Sequence, residues 1–360
     1  MKNLLISLTK ISLSAAILIY LIYQACQGNV FHQLLTIPKR WEFIFGGFVC
    51  CCAAVGITFF RWHLLNRAVG LSVHLKDTMR ISLIGYLFNL APVGGIVGGD
   101  ILKAWILASE EDKKRLDNSE SSNADEDANV KDKNQSYLPE ALASVFTDRL
   151  FGLYALFLLA SVAILLSGFG QMDNSVIQKI CFGTHAIAIA WTVLILVILG
   201  PDFSHGKSIA SLGRIPVVGQ GLMRTVQSIR LYQSKPMVLI AVTALGLFVH
   251  FLFGVCIWMT GVGLFGNVLP LSQHLVTCPL CFSTGAIPLA IGPFEAVLDF
   301  FYQTLPCSNG ATLAKGTGLV VALAYRIMAL IIAGFGLVYY FASRSEVQAV
   351  IQREAEKKAE

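Results

Sequence analysis

Along most of this chain the hydrophobic positions neither alternate nor keep to one helical face, but run on without interruption. A helix needs about 20 predominantly apolar residues to cross the hydrocarbon of a bilayer. Six runs reach that length, at residues 4–25, 42–60, 139–167, 179–200, 236–262 and 317–342. Two further stretches, 81–108 and 276–304, are long enough but are interrupted near their middles by Pro and Gly. The pattern predicts an all-α polytopic membrane protein with about six spanning helices and two broken ones. Two segments differ. Residues 109–136 are polar and acidic, which predicts a disordered cytoplasmic insert. Within 205–235 the spacing of Leu222, Val226 and Ile229, with Arg224 and Arg230 on other faces, predicts an amphipathic interfacial segment.

Composition agrees with the membrane reading. The chain is 55% hydrophobic and 14% charged, against roughly 45–50% and 25% in soluble domains. This argues against a soluble globular enzyme and against a nucleic-acid binder with one exposed basic patch. The formal net charge of +5 is a cancellation. Nine of the 22 acids lie in 109–136 beside five bases, and the remainder holds 22 bases and 13 acids, a net +9. Short loops rich in Lys and Arg stay cytoplasmic. With the N-terminus inside, 61–80 (Arg61, Arg67, Lys76, Arg80), 201–235 and the tail 344–360 face the cytoplasm. The opposite loops carry only Lys39, Arg40, Lys179 and Lys315. This assignment requires both broken stretches to return to the side they entered from, as re-entrant hairpins. It also places the protein in the plasma membrane with both termini cytoplasmic and the first span uncleaved.

The candidate chemistry lies in and beside the broken stretches. Pro92, Gly94, Gly95, Gly98 and Gly99 interrupt the first, and Pro288, Gly292 and Pro293 the second. Pro removes a helix donor and each Gly costs about 1 kcal/mol relative to Ala. The flanking halves, each about ten residues long, would reach half the bilayer core. Irregular backbone at membrane depth is tolerated where it lines a cavity. Each break is followed by an acid, Asp100 or Glu295, and then by a span with an arginine near its centre, Arg149 (beside Asp148) or Arg326. Asp148 and Arg149 diverge by about a third of a turn, so each is expected to face a different broken segment. Charges at that depth cost about 2.5–3.5 kcal/mol even on lenient scales and are paired or functional. Asp100 and Glu295 also suit helix first turns, where an acid is a cap. Under the expected topology the two hairpins enter from opposite sides, as in an inverted repeat.

Other candidates are weaker. Cys50, Cys51 and Cys52 read as packing residues within a span, and Cys278–Cys281 lacks the partners of a haem or zinc site. His185 and His250 read as hydrogen-bonded span residues. No nucleotide-binding loop or nucleophile elbow occurs. Neither cofactor nor metal is expected.

Four features resemble the flippase-like membrane domain family, also called the lysylphosphatidylglycerol synthase transmembrane region. They are P-V-G-G-I-V-G-G-D (Pro92 to Asp100), S-V-F-T-D-R-L-F-G (Ser144 to Gly152), the late Pro/Gly segment ending at Glu295, and Arg326 in the last span. The late segment here reads I-G-P-F-E, with fewer glycines than the family's usual pattern. About 18 residues follow the last span, so the soluble aminoacyl-transferase domain of some members is not expected. The resemblance implies translocation of a lipid, an anionic phospholipid or a polyprenyl-linked intermediate, by a flippase or scramblase without enzymatic activity. Asp100, Asp148, Arg149, Glu295 and Arg326 are its expected substrate-binding residues. The expected partners are membrane lipids, no nucleic acid, and a protein docking on the acidic insert. An ion-coupled solute transporter and a non-transporting partner of an envelope-synthesis enzyme are the alternatives.

Overall fold

A computed structural model describes residues 2–90, 95–121, 136–199, 230–287, 289, 291–307, 310–344, 347–348 and 352. Among them are eleven α-helices: α1 (Lys2–Gln27), α2 (Val30–Thr36), α3 (Trp41–Ala68), α4 (Leu75–Leu90), α5 (Gly95–Ser121), α6 (Leu138–Ser167), α7 (Ser175–Leu199), α8 (Pro236–Phe265), α9 (Leu271–Ser283), α10 (Pro293–Thr304) and α11 (Thr317–Ala342). Six of these are long and apolar enough to cross a membrane: α3, α6, α7, α8, α11 and the Thr9–Gln27 part of α1. They are the six predicted runs.

These spans are apolar on every side, so hydrophobicity does not choose the face that packs; small residues mark where neighbouring helices approach closely. On α11, Ala322, Ala329, Ala333 and Gly336 turn inward, while Ile327, Leu330, Phe335 and Val338 are exposed. Without a hydrophobic difference between lipid and protein, helices associate where small residues let backbones approach. The α3–α8 pair follows the same rule. A Cβ added at Gly47 would stand 3.1 Å from the Cys256 carbonyl, and one at Gly263 would stand 2.5 Å from Ile44. The contacts of residues 44 and 47 with 263 and 256 make α3 and α8 antiparallel.

Both broken stretches fold into antiparallel helical hairpins. In the first, Arg80 pairs with Glu110 at the open end and Asn89 donates to Asp100 at 3.2 Å near the closed end. In the second, His274 and Tyr302 share a 2.8 Å hydrogen bond at the open end, and the Phe282 and Phe294 rings lie 5.1 Å apart at the closed end. The hairpins engage the same two spans. From the first, α5 lies on the first half of α6, and α4 packs against the second half of α11, where Leu83 meets Gly336 and Phe88 meets Tyr340. From the second, α10 lies on the first half of α11, and α9 shares an apolar cluster with Phe157, Ala160, Ala163 and Ile164 of α6.

Several expectations are corrected. The first hairpin's arms have 16 and 27 residues rather than about ten. Gly95, Gly98 and Gly99 are helical and not part of the break. Gly99 serves close approach, since a Cβ there would overlap the Gly85 carbonyl. Pro92, Gly94 and Pro288 lie outside the described residues, whereas Gly292 caps α10 at φ 118° and Pro293 opens it. The acidic segment is helical through Ser121. Low hydrophobicity opposes nucleating a helix, but extending one already nucleated in the hairpin needs only propagation through good formers. The acids also have partners: Glu111 accepts from the Ser72 amide at 2.8 Å and from Lys114 at 2.9 Å, and Asp112 accepts from the Tyr137 amide at 3.0 Å. Residues 122–135 lie outside the described residues, as do 200–229, which carry most of the amphipathic segment. The chain just before α8 is pinned to the end of α3, with the Tyr232 hydroxyl on the Leu65 carbonyl and Lys235 on that of Ala68.

The contact at Gly336 has a measurable consequence. Substituting Gly336→Val drives a branched side chain into the α4 backbone, an overpacking expected to cost about 1–3 kcal/mol. Thermal unfolding of the protein in detergent should show a lower midpoint, while Gly334→Val, where a Cβ meets nothing within 4 Å, should leave it unchanged.

Candidate functional site

Two acid–arginine pairs sit behind the two breaks. In the first, Arg149 on α6 holds Asp100 on α5 with both oxygens engaged, Nε to Oδ2 at 2.5 Å and Nη2 to Oδ1 at 2.8 Å. Two such parallel charge-assisted bonds fix the guanidinium plane as well as its distance. In the second, Arg326 Nε donates to Glu295 Oε1 at 2.6 Å. Arg149 is the twelfth of 30 residues in α6 and Arg326 the tenth of 26 in α11. Each therefore lies about 5 Å on the N-terminal side of its helix's middle.

The acids differ in local role. Glu295 is fully buried, and its Oε2 accepts from the Gly292 amide at 2.7 Å, so it is a capping-box acid and an ion-pair partner together. Asp100 is the sixth residue of α5, past the first turn, and is no cap. It has two further neighbours, Asn89 and the Lys103 ammonium at 3.8 Å. Both were missed from sequence. Lys103 is 8% exposed and its ammonium lies 4.3 Å from the centroid of the Trp62 ring. The signal was its place one turn after Asp100 on the same face.

Asp148 is not part of either pair. It diverges from Arg149, as a third of a turn requires, but faces α3 instead of the second broken segment. There Arg61 Nε donates to Asp148 Oδ1 at 2.8 Å and Arg61 Nη2 to the Asp148 carbonyl at 3.2 Å. Arg61 is thereby moved from an expected cytoplasmic loop into a helix interior, because α3 continues eight residues past the apolar run. This pair is buried on both sides. On α11 the residue before Arg326 is Tyr325, whose ring packs edge-on against Phe253 of α8 with centroids 6.1 Å apart.

Asp299, one turn after Glu295, has another task. Its carboxylate accepts from the Gly316 amide at 3.0 Å and the Leu319 amide at 3.3 Å, so it caps α11 from a neighbouring helix. Beside it a groove of about 490 Å³ opens between α1 and α10, lined by Ile17, Tyr20, Gln24, Ala296, Phe300 and Gln303. Asp299 itself lines this groove and accepts from the Gln303 amide at 2.6 Å, and Ile17 lies against Gly292. Cys278 and Cys281 are buried in apolar surroundings on α9, His250 meets the Gly152 carbonyl at 3.1 Å and His185 meets Ser161 at 2.6 Å.

Breaking a buried pair leaves an uncompensated charge, whereas replacing both partners by apolar residues is close to neutral. Asp148→Ala should accordingly lower stability by roughly 3–5 kcal/mol in detergent unfolding, and Arg61→Met with Asp148→Leu should recover most of that loss.

No curated protein matches the chain. Residues 7–336 match the profile of the lysylphosphatidylglycerol synthase TM region, and with that match over most of its length this multi-pass membrane protein belongs to that family.

Proposed function

We propose that this protein moves an anionic lipid headgroup between leaflets, as a flippase or scramblase and not as an enzyme. The observation that carries the reading is the repeated one: each hairpin sets an acid just past its break against an arginine near the middle of the next span. An arginine fork suits a phosphate as well as a carboxylate. A phosphate reaching that depth can therefore take the place of Asp100 or Glu295 while its tails stay in the bilayer.

The hairpins are read as re-entrant and the two halves as an inverted repeat. Support comes from the reciprocal packing. The second arm of each hairpin lies on the first half of the span that comes after it, and the first arm lies on the second half of the other half's span. The antiparallel α3 and α8, which precede the hairpins, pair in the same relation. Repeats of this kind that meet near the midplane allow alternating access. Both termini are read as cytoplasmic from the Lys/Arg bias.

The groove between α1 and α10 favours a lipid over a small solute. Its lining is mostly apolar, with Tyr20 and Phe300 exposed, as suits acyl chains. The acidic insert remains a proposed surface for a basic protein partner.

Liposomes carrying a fluorescent anionic phospholipid test the proposal. Wild type should speed the loss of leaflet asymmetry over empty liposomes, and Arg326→Ala and Glu295→Ala should each slow it about tenfold or more. No acceleration by wild type refutes lipid movement; equal rates for all three proteins refute the site.

A further inference from the structure

The two acid–arginine pairs are not equivalent in what remains when the arginine leaves. Glu295 would keep one backbone amide, that of Gly292. Asp100 would keep the Asn89 amide at 3.2 Å and an ammonium, Lys103, already 3.8 Å away. A buried carboxylate that loses its only cation is strongly destabilised, while one passed from one cation to another is not. Around Asp100 and Asp148 the described residues also gather three cations, Arg61, Lys103 and Arg149, so this cluster carries one positive charge in excess. Arg149 is its accessible member, with 48% of its side chain exposed against 24% for Arg326.

Lys103 is held for such a role. Its stem passes through a notch that only glycine leaves open, since a Cβ at Gly85 would overlap its Cγ and Cδ. Its ammonium rests against the Trp62 face, an attraction that is stronger away from water. It is thus kept beside Asp100 without forming a direct hydrogen bond, and a movement of about 1 Å would complete one.

Resting on the proposed handling of an anionic headgroup, we infer that the Asp100 pair is the anion-accepting site and that Lys103 is its positioning residue. When a phosphate group engages Arg149, Asp100 transfers to Lys103 and Asn89. Lys103 acts through Asp100 and does not touch the ligand. The ligand chemistry is a phosphate mono- or diester anion, from a lipid headgroup or free in solution.

Calorimetric titration of the purified full-length chain in neutral detergent tests this with three probes: dihexanoyl phosphatidylglycerol, dihexanoyl phosphatidylcholine and inorganic phosphate. Wild type should bind the anionic lipid; binding of inorganic phosphate with equal affinity would assign the site to free phosphate instead of a headgroup. Lys103→Met should weaken binding about tenfold, and Lys103→Arg should restore it to within about threefold. Asp100→Asn should tighten binding, because Arg149 no longer has a competing acid. In that background Lys103→Met should change affinity by less than about twofold. An equal tenfold loss in both backgrounds would overturn the inference, since Lys103 would then act on the ligand directly. So would unchanged affinity in Lys103→Met, or wild type that binds no anion. These outcomes separate from the transport reading. Anion binding with this pattern but no lipid movement in liposomes defeats the transport reading alone, and lipid movement insensitive to Lys103 defeats the inference alone.

Discussion

Everything distinctive in this structure stems from one constraint: a charge carried near the middle of a spanning helix has to be met inside the protein. Among the described residues, Asp148, Arg149 and Arg326 lie near the middles of their spans, and each finds an opposite charge on a different helix, Arg61, Asp100 and Glu295. Two of those partners come from the hairpins, where α5 and α10 each begin at a break and present an acid within the first six residues. The hairpins are thus placed by their charges as much as by their apolar faces. Neutralisation also fixes rotation. With Asp148 turned to α3 and Arg149 to α5, α6 has one orientation that satisfies both.

Packing supplies the remaining order through side-chain volume. Glycines at 46, 47 and 263 bring α3 and α8 together, Gly85 and Gly99 close the first hairpin, and Gly318 and Gly336 let α10 and α4 approach the same span from its two ends. Large side chains stand on both sides, outward as Leu166, Phe182 and Met237 do and inward as Trp62, Phe151 and Tyr302 do. A helix that is apolar all round is thus packed where small residues let a neighbour approach.

Much of this was legible in the sequence. The six spans emerge from length and hydropathy, and the acid–arginine pairing from the order break, acid, span with arginine, met twice. The helix ends were less legible. Arg61 was read into a loop because a charged residue closes an apolar run, yet its guanidinium is buried against Asp148 and α3 goes on past it. Residues 109–121 were read as disordered because their composition cannot bury surface, which ignores that a helix entering from α5 has already met its nucleation cost. The glycines before Asp100 read as part of the break, whereas Gly98 and Gly99 are helical and Gly99 is a close contact with Gly85. For Arg61 and Gly99 local composition was outweighed by a partner on another helix, and such partners are invisible to any window of neighbouring residues. Lys103 shows the limit from the other side: its spacing from Asp100 was visible, but the Trp62 ring and the Gly85 notch that hold it come from two other helices.

The residues that precede the two arginines on their helices differ in chemistry, and so do the contacts that orient the two spans. Next to Arg149 stands Asp148, locked to Arg61 by a charged pair whose separation would leave two buried charges uncompensated. Next to Arg326 stands Tyr325, set among Phe253, Phe282 and Phe294 with ring centroids 5.5 to 6.1 Å apart at several tilts. Aromatic contacts tolerate a range of offsets and tilts at similar energy, while a bonded guanidinium and carboxylate do not. So α6 is tied to α3 by a charged pair, whereas Tyr325 contributes only ring contacts, and α11 is held to the second hairpin by Arg326 on Glu295 and by the Asp299 carboxylate on the Gly316 and Leu319 amides.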